Sequence, residues 1–502
     1  MIEDNEARVL QALKRDLNRH DLESTFTDIY TLKLEIMDFL KNLKRWTSTE
    51  KVDAGFILGF LGKARLRKDP LGVSLIIGAW NFPFVLLLQP LIAAIAAGLC
   101  ISIASSRYKI QASVLSNQEL GCCVMLKPSE LAVQSGLLLQ DLVPKYLDPL
   151  AIRIVTAGPT EMSYILEKHF NQIFFTGSST VARFIAAAAA KHLTPTVLEL
   201  GGQGPCVVTK SANIDLAARR ITHSKFINAG QICLSVNHVF AEPEIMDQLV
   251  DRMAYWNDQY LSQGNSDMCR IVNERNFSRL ARLLEETKGQ TVYGGDWNRN
   301  EKFIHPTIVK DITLDDTLMS EELFGPILPV IPASVDEAID SINAGPEPLA
   351  IYIFAQNDTV VEKIMNRTIS GGVTINNVFF HANLNGAPFG GVGESGYGSY
   401  HGKHGIDCFS HSRPVVSPPA WFDNLLGFSY PPYDAKNRKY LTVKNSLYFQ
   451  RGETLEYQRR VASKGNHVSV LSAIGLAVIL GLYYFCSSSR LQLTSLFGCS
   501  RV

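Results

Sequence analysis

The strongest constraint on the fold is a unit that recurs along the first half of the chain: a short apolar strand, a glycine or polar turn, then a helix. Its clearest copy is Ile173-Phe174-Phe175-Thr176, the turn Gly177-Ser178, and a helix that runs through the alanine tract 186–190 to about Leu193. Strands that alternate with helices indicate a doubly wound α/β sheet. Such a sheet binds ligands outside the carboxyl ends of its strands. The Gly177-Ser178 turn at a helix N-terminus can hold an anion on backbone N–H groups, although it has one glycine and not the three of a dinucleotide fingerprint.

Polar residues at strand ends are therefore the candidates for chemistry. After the apolar strand 73–77 comes the loop Gly78-Ala79-Trp80-Asn81-Phe82-Pro83, whose Asn81 amide either donates to a developing oxyanion or bonds its own backbone. Lys127 and Glu130 lie just past the strand that begins at Cys122. In Val197-Leu198-Glu199-Leu200-Gly201-Gly202 one carboxylate sits in an apolar strand. Buried, Glu199 has a raised pKa suited to a general base; on an edge strand it faces water. Asn228-Ala229-Gly230-Gln231-Ile232-Cys233-Leu234 reads as a loop that holds a thiol at the start of a strand. Free cysteines are most often packed, so Cys233 is read both as a core thiol and as a nucleophile. Glu321 and Glu322, ahead of Leu323-Phe324-Gly325-Pro326, read as a solvated acidic pair.

Length and charge narrow the classes. With 502 residues, 46% hydrophobic and 19% charged, the chain can bury a large core in two or three domains. Its 48 basic and 48 acidic side chains balance, so a small-molecule partner is expected and no nucleic acid. Nine cysteines without CxxC spacing fit neither a disulfide framework nor a zinc ribbon. The N-terminal stretch 7–46 reads as two amphipathic helices with solvated charges and no chemistry. The apolar run 85–105 is long enough for a membrane span, but Gln89-Pro90 and its small residues argue for a buried helix. Residues 468–486 contain no charge; at 1.5 Å per residue they reach roughly 29 Å, against about 30 Å of bilayer hydrocarbon. Arg459, Arg460 and Lys464 precede them, as on a cytoplasmic flank, so a C-terminal tail anchor is expected.

Together these pieces resemble the aldehyde dehydrogenase superfamily, and within it the class 3 fatty aldehyde dehydrogenases. The matching motifs run in the family's order: GAWNFP at 78–83, KPSE at 127–130, FTGS at 175–178, LELGG at 198–202, GQIC at 230–233, EELFGP at 321–326 and PFGGVG at 388–393. The resemblance implies a Rossmann-like cofactor domain and an α/β catalytic domain. It implies that Cys233 attacks the aldehyde, that Asn81 and the Cys233 N–H hold the oxyanion, and that Glu199 activates water, with no metal. It places Lys127 and Glu130 on the adenosine ribose, Gly177 and Ser178 near the pyrophosphate, and Glu322 and Phe324 around the nicotinamide riboside. A carboxylate at Glu130 would repel a 2′-phosphate, so NAD is expected, with NADP open.

The resemblance further implies a homodimer acting on medium- to long-chain aliphatic aldehydes, anchored in the endoplasmic reticulum with its catalytic domain in the cytosol. The expected domains are 1–198 for the cofactor, 199–385 for catalysis, 386–435 as a return and oligomerisation segment, and 436–502 as the tail. Residues 99–121 lack a helical or strand pattern and stand as an untypical insertion beside the cofactor strand. Ala182, Gln203, Ile232 and Glu394 depart from the family's usual Gly, Lys, Thr and Asn. A catalytically impaired, membrane-bound scaffold or partner subunit is the competing reading, favoured by the insertion and opposed by Cys233, Glu199 and Asn81.

Overall fold

Strand by strand, the apolar runs form two sheets. The computed structural model describes residues 1–105, 123–384 and 386–441, with 454, 456, 457 and 460. The expected tail anchor at 468–486 and residues 106–121 of the expected insertion lie outside the described residues. The chain divides into two units, Met1–Ser417 and Pro418–Val502. In the second, the described residues form short helical turns, among them Ala420–Phe422, Asp423–Leu426 and Ala435–Leu441.

In the first unit a six-stranded sheet runs in the order Gly396–Tyr397, Thr196–Glu199, Gln172–Thr176, Ser74–Ile77, Val124–Lys127, Ile152–Ile154. Every neighbouring pair is parallel except the first. Parallel strands need crossovers and covered faces. Here the inner strands are buried at every residue but Met125 and Thr196, and two apolar clusters flank them: one holds Ile76, Leu126 and Phe174, the other Leu75, Ile173 and Phe175. Each such fully buried side chain contributes about 1.5–3 kcal/mol. A second sheet of seven strands runs Gln290–Tyr293, Thr307–Lys310, Ile327–Pro332, His238–Ala241, Pro205–Val208, Ala350–Phe354, Gly372–Ile375. It is parallel apart from its first pair. Both are the sheets expected of the alternating pattern.

The helix Val85–Ser105 settles the reading of the long apolar run. Leu87, Leu88, Leu91, Ala93, Ala94, Ala96 and Ala97 are buried in the core of the first unit. Among the described residues no helix is long and apolar enough to cross a membrane. The helix also continues to Ser105, so the first seven residues of the expected insertion are helical. Their apolar, small-residue composition simply extends that of the preceding turns.

Two further expectations change. The strand after the thiol starts at His238 and not beside Cys233. Ser235 and Asn237 are spent otherwise: Ser235 Oγ donates to the Ser224 carbonyl at 2.9 Å, and Asn237 Oδ1 accepts from the Leu323 N–H at 2.8 Å. The N-terminal helices are not solvated on every charged face either. Arg19 is buried in the loop between the helices Glu6–Leu17 and Asp21–Ser24, and Asp28 and Glu35 are buried where the chain runs on through a π-helical turn, Thr25–Tyr30, into Thr31–Trp46. Wide π turns shift the helix face and are frequent at functional sites.

Candidate functional site

The thiol loop is held in a conformation that ordinary residues avoid. Asn228 and Ala229 both have φ of 51° and Gly230 has φ of 70°, and each non-glycine residue in the left-handed region costs about 1–2 kcal/mol. Asn228 offsets that cost through every polar atom of its side chain. Its Oδ1 accepts from Arg19 at 2.8 Å, and its Nδ2 donates to the carbonyls of Asn81 at 3.2 Å and Gln231 at 3.1 Å. Gln231 in turn donates to the Asn228 and Arg270 carbonyls and accepts from the Val272 N–H. Only glycine fits at 230, where an added Cβ would lie 2.4 Å from the Gly325 carbonyl oxygen.

Beyond this turn Cys233 lines a cavity of about 340 Å³ shared with Glu199, Thr176 and Phe82. Burial, then the carboxylates of Glu322 and Glu199, push the thiol up to about 12, while the N–H groups of Cys233 and Leu234 pull it down. In this environment the sulfur is a neutral thiol until a base takes its proton. Glu199, the last residue of its strand, is 3% exposed, and among the described residues neither carboxylate oxygen has a hydrogen-bond partner. Burial raises it well above the usual carboxylate range, which decides between the two readings of this residue in favour of the buried one. Asn81 is equally buried, and its Nδ2 donates to the Gln231 carbonyl at 3.1 Å, two residues from the thiol. It does not bond its own loop. Cys233, Glu199 and Asn81 are thus brought together from segments widely separated in sequence.

Glu322 joins them. The adjacent acids are not alike: Glu321 is half-buried and paired with Arg279 at 3.5 Å, whereas burial raises Glu322 to about 7, against the Gly202 N–H and the charges of Lys225 and Arg279. The Glu322 carboxylate packs on Gly201, where a Cβ would meet Oε1 at 2.5 Å. Burial, opposed by Glu322, likewise lowers Lys225 to about 7. Phe324 has a φ of 50° and meets Trp80 edge-on at 5.4 Å. Arg279 ties that turn down through the Glu322 and Leu323 carbonyls, at 3.3 and 2.6 Å.

The remaining candidates stand at the strand ends and not in the cavity wall. Register places Lys127 beside Ile77, and Thr176 beside Glu199. Lys127 Nζ pairs with Glu130 at 2.5 Å, and although burial opposes it this contact keeps Glu130 low and ionised. Gly177 donates to the Glu199 carbonyl at 3.1 Å and leaves room for the Phe175 ring, 2.5 Å from where a Cβ would sit. Ser178 caps the helix Ser179–Ala190 by accepting from the Val181 N–H. A buried lysine paired with an exposed glutamate, a capped helix N-terminus and buried oxygens on Thr176 and Glu199 that have no partner among the described residues fit the sugar, phosphate and riboside of a dinucleotide along one sheet edge. The departures from family pattern are accommodated: Gln203 donates to the Met319 carbonyl at 2.8 Å, Glu394 pairs with Arg183 on the surface, and Ala182 and Ile232 are packed.

Sequence reasoning missed one wall of the cavity altogether. Phe26, Tyr30, Leu34 and Glu35 from the N-terminal helices line it, facing Tyr400 and His401. Glu35 accepts from the Gly402 N–H at 3.3 Å, and burial raises it to about 7. Burial also lowers His401 to about 4, and its Nε2 has no partner among the described residues. The available signal was weak: a charged residue in phase with apolar neighbours, as Glu35 is with Leu32 and Phe39.

Comparison with known proteins agrees with this arrangement. The profile described as "Aldehyde dehydrogenase family" matches residues 27–108 and 109–415, two pieces that meet inside the stretch 99–121. The chain is 38% identical over 436 residues to aldehyde dehydrogenase family 3 member A2 of Pongo abelii, covering 86% of this chain and 84% of that one. It is 40% identical over 438 residues to aldehyde dehydrogenase family 3 member H1 of Arabidopsis thaliana, covering 86% and 85%. The solved substrate-bound Staphylococcus aureus AldH superposes with a TM-score of 0.76 at 32% identity, over 86% of this chain and 92% of that one. The chain therefore belongs to the aldehyde dehydrogenase family, oxidoreductases that act on aldehydes with NAD, and in some cases NADP, as cofactor.

Proposed function

We propose that the protein oxidises medium- to long-chain aliphatic aldehydes to carboxylic acids through a covalent bond to Cys233. The observation that carries this is the convergence of Cys233, the unpartnered Glu199 carboxylate and the aromatic wall on one apolar cavity. Such a cavity suits an alkyl chain, and its one thiol suits a carbonyl carbon.

In this reading the Cys233 proton passes to Glu199, which gives it up to solvent before hydrolysis, as sulfur bonds the carbonyl carbon and the π electrons move to oxygen. The Asn81 Nδ2 and the Cys233 N–H donate to that oxyanion. NAD, when bound, supplies the acceptor for the hydride that leaves this carbon. Lys127 and Glu130 would hold its adenosine ribose, Gly177 and Ser178 its pyrophosphate, and Glu322 and Phe324 its nicotinamide riboside. Glu199 then takes a proton from water as the water oxygen attacks the thioester carbon. The C–S bond breaks, the acid departs, and sulfur regains its proton.

The test is NADH absorbance on mixing the full chain with NAD and hexadecanal, against shorter aldehydes and the Cys233→Ala variant. Steady NADH formation that the variant abolishes is the expected result; none from folded protein would sink the enzyme reading and leave the scaffold. The apolar lining of the cavity supports the lipid-aldehyde assignment. We assign residues 468–486 as a tail anchor that holds the protein on the endoplasmic reticulum with its catalytic domain in the cytosol. Alkaline extraction should leave the full chain in the membrane pellet and release a chain lacking 468–486. A homodimer, as in the relative from dog named dimeric, predicts twice the chain mass by light scattering.

A further inference from the structure

Two donors serve the oxyanion in the function proposed above, and they come from loops 150 residues apart where the Asn81 amide meets the Gln231 carbonyl. Something must fix one loop against the other, because a donor displaced by 1 Å can cost about 100-fold in rate. Arg19 is placed to do so. Its side chain has no exposed surface. Its Nη2 donates both to the Asn81 backbone carbonyl and to Asn228 Oδ1, the latter at 2.8 Å. Nη1 bonds Asp28 at 2.7 Å. Nε lies 3.6 Å from Glu23 Oε1, which also accepts from the Asn228 N–H at 2.8 Å. The guanidinium stacks 4.8 Å from the centroid of Phe82, the residue after Asn81.

One planar fork therefore spans the loop that carries the amide and the left-handed turn that carries the thiol. An isolated buried cation would be costly, and the two carboxylates on the same helical segment offset that cost. A lysine could supply the charge but not the several fixed N–H directions. Asp28 is itself fixed, since its Oδ2 also accepts from the Thr27 hydroxyl at 3.1 Å.

We infer that Arg19 is a positioning residue for aldehyde oxidation: by gripping the Asn81 carbonyl and the Asn228 amide together, it aims the Asn81 Nδ2 and the Cys233 N–H at one oxygen. This rests on the thiol mechanism proposed above. It touches neither substrate nor cofactor.

The test is a double-mutant cycle on the full chain with Arg19→Met, Arg19→Lys, Asn81→Ala and the two double variants, with Cys233→Ala as reference. Two rates are read: NADH formation from hexadecanal, and hydrolysis of p-nitrophenyl acetate, in which acyl transfer to sulfur develops the same oxyanion without cofactor. R19M should lower kcat by roughly 10- to 100-fold in both assays with KM nearly unchanged. In the N81A background R19M should cost less than about 3-fold more, because no amide remains to be aimed. R19K keeps the charge and loses the fork, so it should fold like the parent and remain at least about 5-fold slow. If R19M fails to fold by circular dichroism, the R19K and N81A pair decides by the same non-additivity. Additive losses, a wild-type kcat in R19K, or a change confined to KM would overturn the inference. Activity surviving in C233A would overturn the thiol mechanism and the role of Arg19 with it.

Discussion

At the strand ends Lys127 finds its counter-ion three residues away, whereas on the wall opposite, Glu35 takes its hydrogen bond from Gly402, 367 residues along the chain. Both regions carry a buried charged or polar side chain beside a ligand space. The strand-end pair is satisfied within one turn of backbone, so it is a local property that any sheet of this type can present. The helical wall is satisfied only after the chain has returned, when Gly396–Tyr397 pairs with Thr196–Glu199 and Ser410–Val415 pairs with Arg65–Pro70. Local pairs suit a cofactor edge shared by many enzymes, and long-range pairs let a pocket be shaped for its own substrate.

The comparison can be strained in order of effect. Glu199 stands where the two regions meet, and Glu199→Gln should lower kcat by about 100- to 10,000-fold, the range for a general base. Because burial holds both Cys233 and Glu199 above their ordinary values, the parent kcat/KM should climb from neutral into alkaline pH; a pH profile of E199Q should keep only the part of that climb that belongs to Cys233.

On the helical wall the test is stability. Burial raises Glu35 above its unfolded value to about 7, so the folded state binds the extra proton. Stability is then fullest below the unfolded value of about 4.3 and falls as pH rises toward 7. Glu35→Gln should remove that slope, a difference of up to about 3 kcal/mol by urea titration at alkaline pH. A parallel slope in parent and variant would mean that Glu35 does not titrate in the wall.

At the strand end, Glu130→Gln removes the like charge expected to face a 2′-phosphate, and the ratio of kcat/KM for NADP over NAD should rise roughly tenfold. Lys127 would then be left free to favour the phosphate. The smallest effect belongs to Glu394→Asn, which restores the family's usual residue. Its pair with Arg183 is exposed on both sides, so stability and activity should move by less than about 1 kcal/mol in denaturation and rate measurements.

The strand ends were legible because each motif is contiguous. Apolar runs before Asn81, Lys127, Gly177 and Glu199 are buried strands, and the turn residues after them are where their types predict. Adjacency alone does not separate Glu321 from Glu322, since it says nothing of which carboxylate faces Gly201. The helices at 7–46 were read as solvated because amphipathic periodicity marks one apolar face and is silent on what the other face meets. Arg19, Asp28 and Glu35 break that reading only through partners at Asn81, Asn228 and Gly402.

What the sequence by itself determined was the alternating α/β architecture, the residue types at the strand ends, and the family to which their order belongs. Period, turn chemistry and motif spacing are local quantities, written in consecutive residues. Only the tertiary structure decided that Glu199 is buried without a partner, that Cys233 shares a cavity with it, and that the N-terminal helices supply a wall and a buried guanidinium behind the amide of Asn81. Burial and electrostatic environment are sums over neighbours from distant segments, and they exist only once the chain has closed on itself.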